Sequence, residues 1–306
     1  MTLLEQTLEL CKLNNIIPNK LMGQNFLIDE FVLEDIIDNV LEIKKERKIK
    51  KLNILEIGGG FGVLTNRLVD IADKVFLIEK DDQLMGGLKK IEEESDGKLK
   101  VVLEDALNLQ YDTKLEDKNL LIQEVKDYFN GEEYFVVANI PYSITSHIIR
   151  ILLEINYSPS EIVIMIQKEV AQRICAKAGD DTVLSLSAKF YSTPSILFLV
   201  SRECFYPMPA VESAIIRLSR KSKLLISDKK EVDKFFRFIK SGFSNKRKML
   251  YHNISSVYRK DKSIIKDLLI KSELSDKTRA QDLSLEDWLK LWYNFSKIEK
   301  EIKTKN

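Results

Sequence analysis

The chain has 306 residues, 44% apolar and 31% charged, the balance of a folded globular protein and not of a disordered one. Lys+Arg is 48 and Asp+Glu is 47, so global charge selects no partner. Three separated cysteines and two histidines exclude a disulfide framework, a cysteine-cluster zinc site and a histidine-built metal centre.

The length favours one large domain plus a smaller one. The opening Met-Thr-Leu-Leu-Glu-Gln has no basic stretch ahead of an apolar one, so no signal peptide is expected. No apolar run approaches the roughly 18 residues of a membrane span. A reduced, cytoplasmic, soluble protein is the expectation.

Five apolar runs, 53–57, 74–79, 100–103, 134–138 and 161–167, predict buried strands. Helical patterns fall between them at 63–71, 83–91 and 145–155. Strand alternating with helix predicts an α/β fold with a mostly parallel sheet covered on both faces. Segments 196–202 and 213–218 follow closely with no helix between them. Their link, 203–212, holds Pro207 and Pro209 and reads as a long hairpin loop, so the sheet should end in an antiparallel pair. The charged stretch 221–230 marks the domain boundary, giving 1–221 and 222–306. Beyond it, 232–242, 246–255, 263–269 and 284–295 predict a small all-helical domain, with Ser284 and Asp287 as a capping pair.

Charge is unevenly placed. Residues 92–133 carry thirteen acids and five bases, and 220–248 carry eleven bases and three acids. Such segregation marks either a polyanion-binding face or two solvated helix faces.

The first strand runs into Glu56-Ile57-Gly58-Gly59-Gly60-Phe61-Gly62, and a helix follows. Glycines here let backbone approach a ligand, and a helix N-terminus favours polar or anionic groups. The Gly-x-Gly-x-Gly spacing is not the one that seats a dinucleotide pyrophosphate, and no lysine is present for a phosphate. A nucleoside without a phosphate chain fits better. Glu79, at the tip of the second strand, is placed to accept from ribose hydroxyls. Asp105, after the third, is placed to accept from an adenine amine.

The fourth strand ends in Asn139-Ile140-Pro141-Tyr142. Pro141 restrains Ile140 to an extended conformation, which aims the Ile140 carbonyl beside the Asn139 side-chain oxygen. Two acceptors converging on one point suit a substrate amine. Tyr142 offers a face for base stacking.

These elements resemble the rRNA adenine N6,N6-dimethyltransferases, and further stretches narrow the likeness to the KsgA family. They are Lys20-Leu21-Met22-Gly23-Gln24-Asn25-Phe26-Leu27-Ile28-Asp29, the run from Met165 to Ile174, Phe205-Tyr206-Pro207-Met208-Pro209-Ala210-Val211-Glu212-Ser213-Ala214, the run from Ser241 to Leu250, and Arg279-Ala280-Gln281-Asp282-Leu283-Ser284. The resemblance implies a Rossmann-like class I methyltransferase sheet and S-adenosylmethionine as cofactor. It implies dimethylation of two adjacent adenosines in the 3′-terminal hairpin of small-subunit rRNA, within a precursor small ribosomal subunit, by a monomer.

It further implies that Asn25, Leu27, Gly58, Gly60, Glu79, Asp105 and Asn139 line the cofactor site. Asn139, Ile140, Pro141 and Tyr142 would serve the target base, with Phe205 as the second face of a clamp opposite Tyr142. Lys240, Lys246, Arg247 and Lys248 become candidate phosphate contacts, a solvated helix face being the alternative. Met208 stands where the family usually shows proline, and 111–133 reads as an extra acidic surface excursion without an assigned role.

An Erm-type methyltransferase of large-subunit rRNA shares the Gln-Asn-Phe-Leu and Asn-Ile-Pro-Tyr elements. Gly23 and the stretches 205–214 and 241–250 favour the small-subunit enzyme. A non-catalytic assembly or transcription factor on the same fold would not need Glu79 or an intact Asn139–Tyr142. A nicotinamide dehydrogenase would need a different glycine spacing.

Overall fold

A computed structural model of the chain describes residues 1–18, 23–109, 120–176 and 179–305. In chain order the elements are α1 (Leu3–Leu13), β1 (Phe26–Leu27), α2 (Glu30–Glu46), β2 (Asn53–Ile57), α3 (Val63–Ile71), β3 (Lys74–Glu79), α4 (Met85–Glu94), β4 (Leu99–Leu103), α5 (Leu120–Tyr128), β5 (Phe135–Asn139) and α6 (Thr145–Glu154). There follow β6 (Glu161–Gln167), α7 (Lys168–Cys175), α8 (Val183–Tyr191), β7 (Ser192–Val200), β8 (Phe205–Tyr206), β9 (Ser213–Arg220), α9 (Lys229–Gly242), α10 (Leu250–Tyr258), α11 (Lys262–Lys271) and α12 (Leu285–Lys305). No helix among the described residues is long and apolar enough to cross a membrane.

The chain divides into two compact units: 1–171 with 193–220, and 172–192 with 221–306. The first unit holds a seven-stranded sheet of order β4-β3-β2-β5-β6-β9-β7. β4, β3, β2, β5 and β6 run parallel, and β9 is antiparallel to β6. β2 and β5 have no exposed residue, as expected of central parallel strands covered on both faces. α2 contributes Leu33, Ile36, Val40 and Ile43 to the apolar layer on one face. Its N-terminus is set by Asp29, whose Oδ1 accepts from the Phe31 and Val32 N–H groups.

Part of the acidic excursion is not a surface feature. Residues 111–119 lie outside the described residues, but 120–128 form α5, which buries Leu121 and Val125. Phe129 follows at the same spacing, fully buried, with its ring edge-on to Phe76 of β3. An apolar residue every fourth position on a helix makes a stripe that must be covered, and the strand-based reading of 111–133 passes over it.

The second unit is helical and aromatic. Residues 172–192, assigned by sequence to the first domain, belong to it. Phe190 and Tyr191 of α8 pack on Phe236, at ring-centroid distances of 5.3 and 5.9 Å. Burying those rings is the reason α8 joins this core. Trp288 is fully buried, and a Cβ built on Gly242 would come within 2.4 Å of its ring. The expected capping pair is present: Ser284 Oγ accepts from the Asp287 N–H, and Asp287 Oδ2 accepts from the Ser284 N–H. The helix expected over 246–255 starts later, at Leu250. Asn245 holds 246–248 in a turn, its Oδ1 accepting from the Arg247 N–H and its carbonyl from the Lys248 N–H and Asn253 Nδ2.

Candidate active site

β2 and β5 lie side by side with Ile57 opposite Ala138. The strand order reverses between them, and open α/β sheets bind ligands beyond the carboxyl ends of strands at such a point. A cavity of about 300 Å³ lies there. Its lining includes Asn25, Leu27, Gly58, Gly60, Glu79, Asp105 and the whole of Asn139–Tyr142. Residues from the N-terminal segment and from four strand ends thus meet at one place.

The glycine turn is shaped by backbone geometry. Gly58 and Gly60 have φ of 80° and 56°, where a side chain is strained. A Cβ on Gly60 would stand 3.3 Å from the Phe26 ring, and one on Gly58 3.8 Å from the Asn139 carbonyl oxygen. The turn therefore runs flush along the cavity wall.

Glu79 is 7% exposed. Its Oε1 accepts from the N–H groups of Lys80 and Asp81 at 2.7 and 2.8 Å, and its Oε2 from Gly60 at 3.2 Å. Burial pushes the carboxyl up, and these three backbone donors offset part of the rise. A carboxylate has about four lone-pair sites, so Oε2 retains capacity for a ligand hydroxyl. For Asp105, burial raises the carboxyl, but the Lys80 ammonium at 2.6 Å, the Leu107 N–H and His147 hold it below its ordinary range.

Asn139 ends β5 with its amide orientation determined. Nδ2 donates to the Asn25 carbonyl at 3.3 Å, which leaves Oδ1 to accept. Pro141 starts the next turn, its carbonyl taking the Ile144 N–H and the Thr145 hydroxyl. Tyr142 is anchored through its hydroxyl, 2.7 Å from Ser213 Oγ. Ser213 is fully buried at the start of β9, opposite Gln167. Ser213 lies within the family-like stretch 205–214, but nothing local in the sequence links positions 71 residues apart, so its partnership with Tyr142 escapes a reading by motif.

Phe205 departs from expectation. It is 3% exposed, pairs with Leu27 in the short β1–β8 ladder, and belongs to the apolar core with Val200 and Ile215. It is absent from the lining of the cavity that holds Tyr142. The ladder turns its ring into the apolar layer, where burial is favourable. Lys240, Lys246, Arg247 and Lys248 lie in the second unit, all exposed, the first in the last turn of α9 and the others in the turn before α10.

One buried group carries no sequence-based role. Glu56, in the middle of β2, is 0% exposed, and neither carboxyl oxygen has a hydrogen-bond partner. Burial pushes its pKa up to about 8. The Thr65 hydroxyl lowers it without closing a hydrogen bond of normal geometry, and the Glu79 charge raises it. An acid inside the apolar run Asn53-Ile54-Leu55-Glu56-Ile57 is the signal that could have drawn attention to it.

The family model described as ribosomal RNA adenine dimethylase matches residues 17–297. A protein of Dehalococcoides mccartyi called ribosomal RNA small subunit methyltransferase A is 33% identical over 297 residues, covering 96% of this chain and 94% of its own. One of the same name from Fusobacterium nucleatum is 35% identical, covering 89% and 95%. Among solved structures, a dimethyladenosine transferase from Plasmodium falciparum superposes with a TM-score of 0.67 at 26% identity, covering 89% of this chain and 98% of that one. The 23S rRNA methyltransferase ErmE shares the fold, with a TM-score of 0.64 at 22% identity, covering 89% and 100%. With this match over nearly its whole length, the chain belongs to the ribosomal RNA adenine dimethylase family.

Proposed function

We propose that this protein transfers methyl groups from S-adenosylmethionine to N6 of two adjacent adenosines in the 3′-terminal hairpin of small-subunit rRNA, within a precursor small ribosomal subunit. The observation that carries this reading is the common cavity of Glu79, Asp105 and Asn139–Tyr142, with the Asn139 amide nitrogen tied to the Asn25 carbonyl. The relatives called small-subunit methyltransferases support the choice of rRNA.

The residues present fit the cofactor. Acids at two strand tips suit ribose hydroxyls and an adenine amine. Lys80, the one cationic side chain among the described residues of the lining, is paired with Asp105, so the wall offers no free lysine or arginine to a phosphate chain. When bound, S-adenosylmethionine supplies a methyl already activated on a sulfonium. Glu79 and Asp105 hold the nucleoside, and Asn25, Leu27, Gly58 and Gly60 shape its wall.

Asn139 Oδ1 and the Ile140 carbonyl accept the hydrogens of the target amine and favour a pyramidal nitrogen. Preorganised acceptors of this kind stabilise charge where it develops, and losing one typically costs about 10²–10³ in rate. Pro141 fixes the turn that presents them, and Tyr142, held by Ser213, stacks the extruded base. Lys240, Lys246, Arg247 and Lys248 contact rRNA phosphates. The protein works as a monomer in the cytoplasm, the chemistry residing within 1–221 and the phosphate contacts within 222–306.

Mass mapping of rRNA adenines tests the reading, after incubating the protein with S-adenosylmethionine and undermethylated precursor subunits of each size. Two adjacent dimethyladenosines in small-subunit rRNA are expected. Modification confined to large-subunit rRNA would refute the substrate, and cofactor binding without transfer to either particle would refute the activity.

A further inference from the structure

The segment 23–27 is held at both ends of the cavity, and one of its side chains has no role in the reading above. Gln24 donates from Nε2 to Asp81 Oδ2 at 2.6 Å. Asp81 is itself held, its N–H on Glu79 Oε1 at 2.8 Å and its Oδ1 accepting from the Gln83 N–H at 3.1 Å. One residue after Gln24, the Asn25 carbonyl accepts from Asn139 Nδ2. One residue before it, Gly23 sits so close to the catalytic turn that an added Cβ would meet Pro141 Cβ at 3.0 Å. Phe26 and Leu27 continue into the ladder with Tyr206 and Phe205. A continuous polar chain thus runs from Glu79, at the tip of β3, through Asp81, Gln24 and Asn25 to Asn139, at the tip of β5.

We infer that Gln24 is a positioning residue: its hydrogen bond to Asp81 holds the Asn25 carbonyl in place, and that carbonyl sets the orientation of the Asn139 amide. This rests on the role proposed above for Asn139. The physical need is specific. A terminal amide has two nearly isosteric orientations, and only the one with nitrogen on Asn25 leaves oxygen for a substrate amine. At 3.3 Å the Asn25–Asn139 bond lies just beyond the usual range, so it discriminates weakly unless the carbonyl is fixed from elsewhere. The short bond to the Asp81 carboxylate is the charge-assisted kind that fixes position.

The test compares Gln24→Ala, Gln24→Glu and the double variant Gln24→Glu/Asp81→Asn in the full-length protein. The first removes the donor, the second sets two carboxylates against each other, and the third restores the bond with its polarity reversed. Single-turnover methyl transfer to small-subunit particles should fall about 10–100-fold in the single variants, the scale of a misplaced reacting group. Cofactor affinity by calorimetry should stay within about threefold of wild type, because Glu79 and Asp105 are untouched, and the double variant should recover most of the rate.

Wild-type transfer rates in Gln24→Glu overturn the inference. So does a loss confined to cofactor affinity, which would make Gln24 a cofactor ligand instead. A second readout is independent of activity: the side-chain amide NMR signal of Asn139, assigned by its disappearance in Asn139→Ala. It should shift in Gln24→Glu and return in the double variant, and an unmoved signal also overturns the inference. A wild-type protein that transfers no methyl would refute the proposed function, while the NMR readout would still decide the role of Gln24.

Discussion

Glu56→Gln gives the most direct check on the electrostatics of the sheet. Glu56 is fully buried without a hydrogen bond, and burial raises its pKa from an ordinary 4.5 to about 8. Between these values the folded state holds a proton that the unfolded chain has released. The unfolded state then binds fewer protons, so stability falls as pH rises through this window, by about 1.4 kcal/mol per unit where the difference is complete. From about pH 5.5 to 7.5 the wild type should lose on the order of 2–3 kcal/mol through this residue alone. Glutamine does not titrate. Whatever its amide costs in the same place is independent of pH and cancels when the two pH profiles are compared, as does most of the contribution of Glu79. The stability of Glu56→Gln relative to wild type should therefore grow by the same amount, on the order of 2–3 kcal/mol, over that interval. Urea melts at pH 5.5, 6.5 and 7.5 measure this. They are best followed by far-ultraviolet circular dichroism, because both tryptophans, Trp288 and Trp292, lie in the second unit. Parallel pH profiles for the two proteins would refute the assignment of a proton to Glu56.

Asn139→Ala should lower single-turnover methyl transfer by at least about 10²-fold with an unchanged melting temperature; a wild-type rate would remove Asn139 from the chemistry. Gly86 and Gly87, in the first turn of α4, have nothing within 4 Å of an added Cβ, whereas Gly242 faces Trp288 at 2.4 Å. Alanine at either of the first two should stabilise by about 0.5–1 kcal/mol and at Gly242 destabilise by about 1–3 kcal/mol, opposite signs readable in denaturant melts. Arg217 donates from Nε and an Nη to the fully buried Glu161, which also takes Arg47 and the Ser219 hydroxyl. Arg217→Met leaves that carboxylate with one cation and should cost about 3 kcal/mol, a loss that Glu161→Leu in the same chain should partly reverse. Neutralising Lys246, Arg247 and Lys248 together should flatten the logarithmic salt dependence of RNA binding by roughly 0.7–0.9 for every phosphate they neutralise in the wild type; an unchanged slope would put the RNA elsewhere.

The parts legible in the sequence are those whose cause is local. β2, β3 and β6 sit within the predicted boundaries because an unbroken apolar run bounded by turn residues has no other cheap use than a strand buried on both faces. α3 starts after Gly62 and ends at Ile71 as expected, and the acids at strand tips meet in one cavity because parallel strands present all their carboxyl ends on one edge. Illegible were the features settled between distant segments. Phe205 reads as an aromatic beside prolines, and only its pairing with Leu27, far earlier in the chain, turns it into the core. α8 reads as part of the first domain until the rings of α9 supply a place to bury Phe190 and Tyr191.

The same division explains how the site is built. Glu79, Asp105 and Asn139–Tyr142, the groups expected to hold the nucleoside and the target base, lie at strand ends or in short turns, where local sequence dictates the backbone and hence the motif. The groups that orient them come from elsewhere. Ser213 reaches Tyr142 from the antiparallel strand, and the Asn25 carbonyl reaches Asn139 from the N-terminal segment. Lys80 comes to Asp105 from the neighbouring strand's turn. Local backbone sets where a side chain begins, but an amide or a phenol has rotational freedom that only a partner across the cavity removes. The precision of this site therefore depends on the tertiary fold closing correctly, and a variant that loosens segment 23–27 should impair chemistry before it impairs stability.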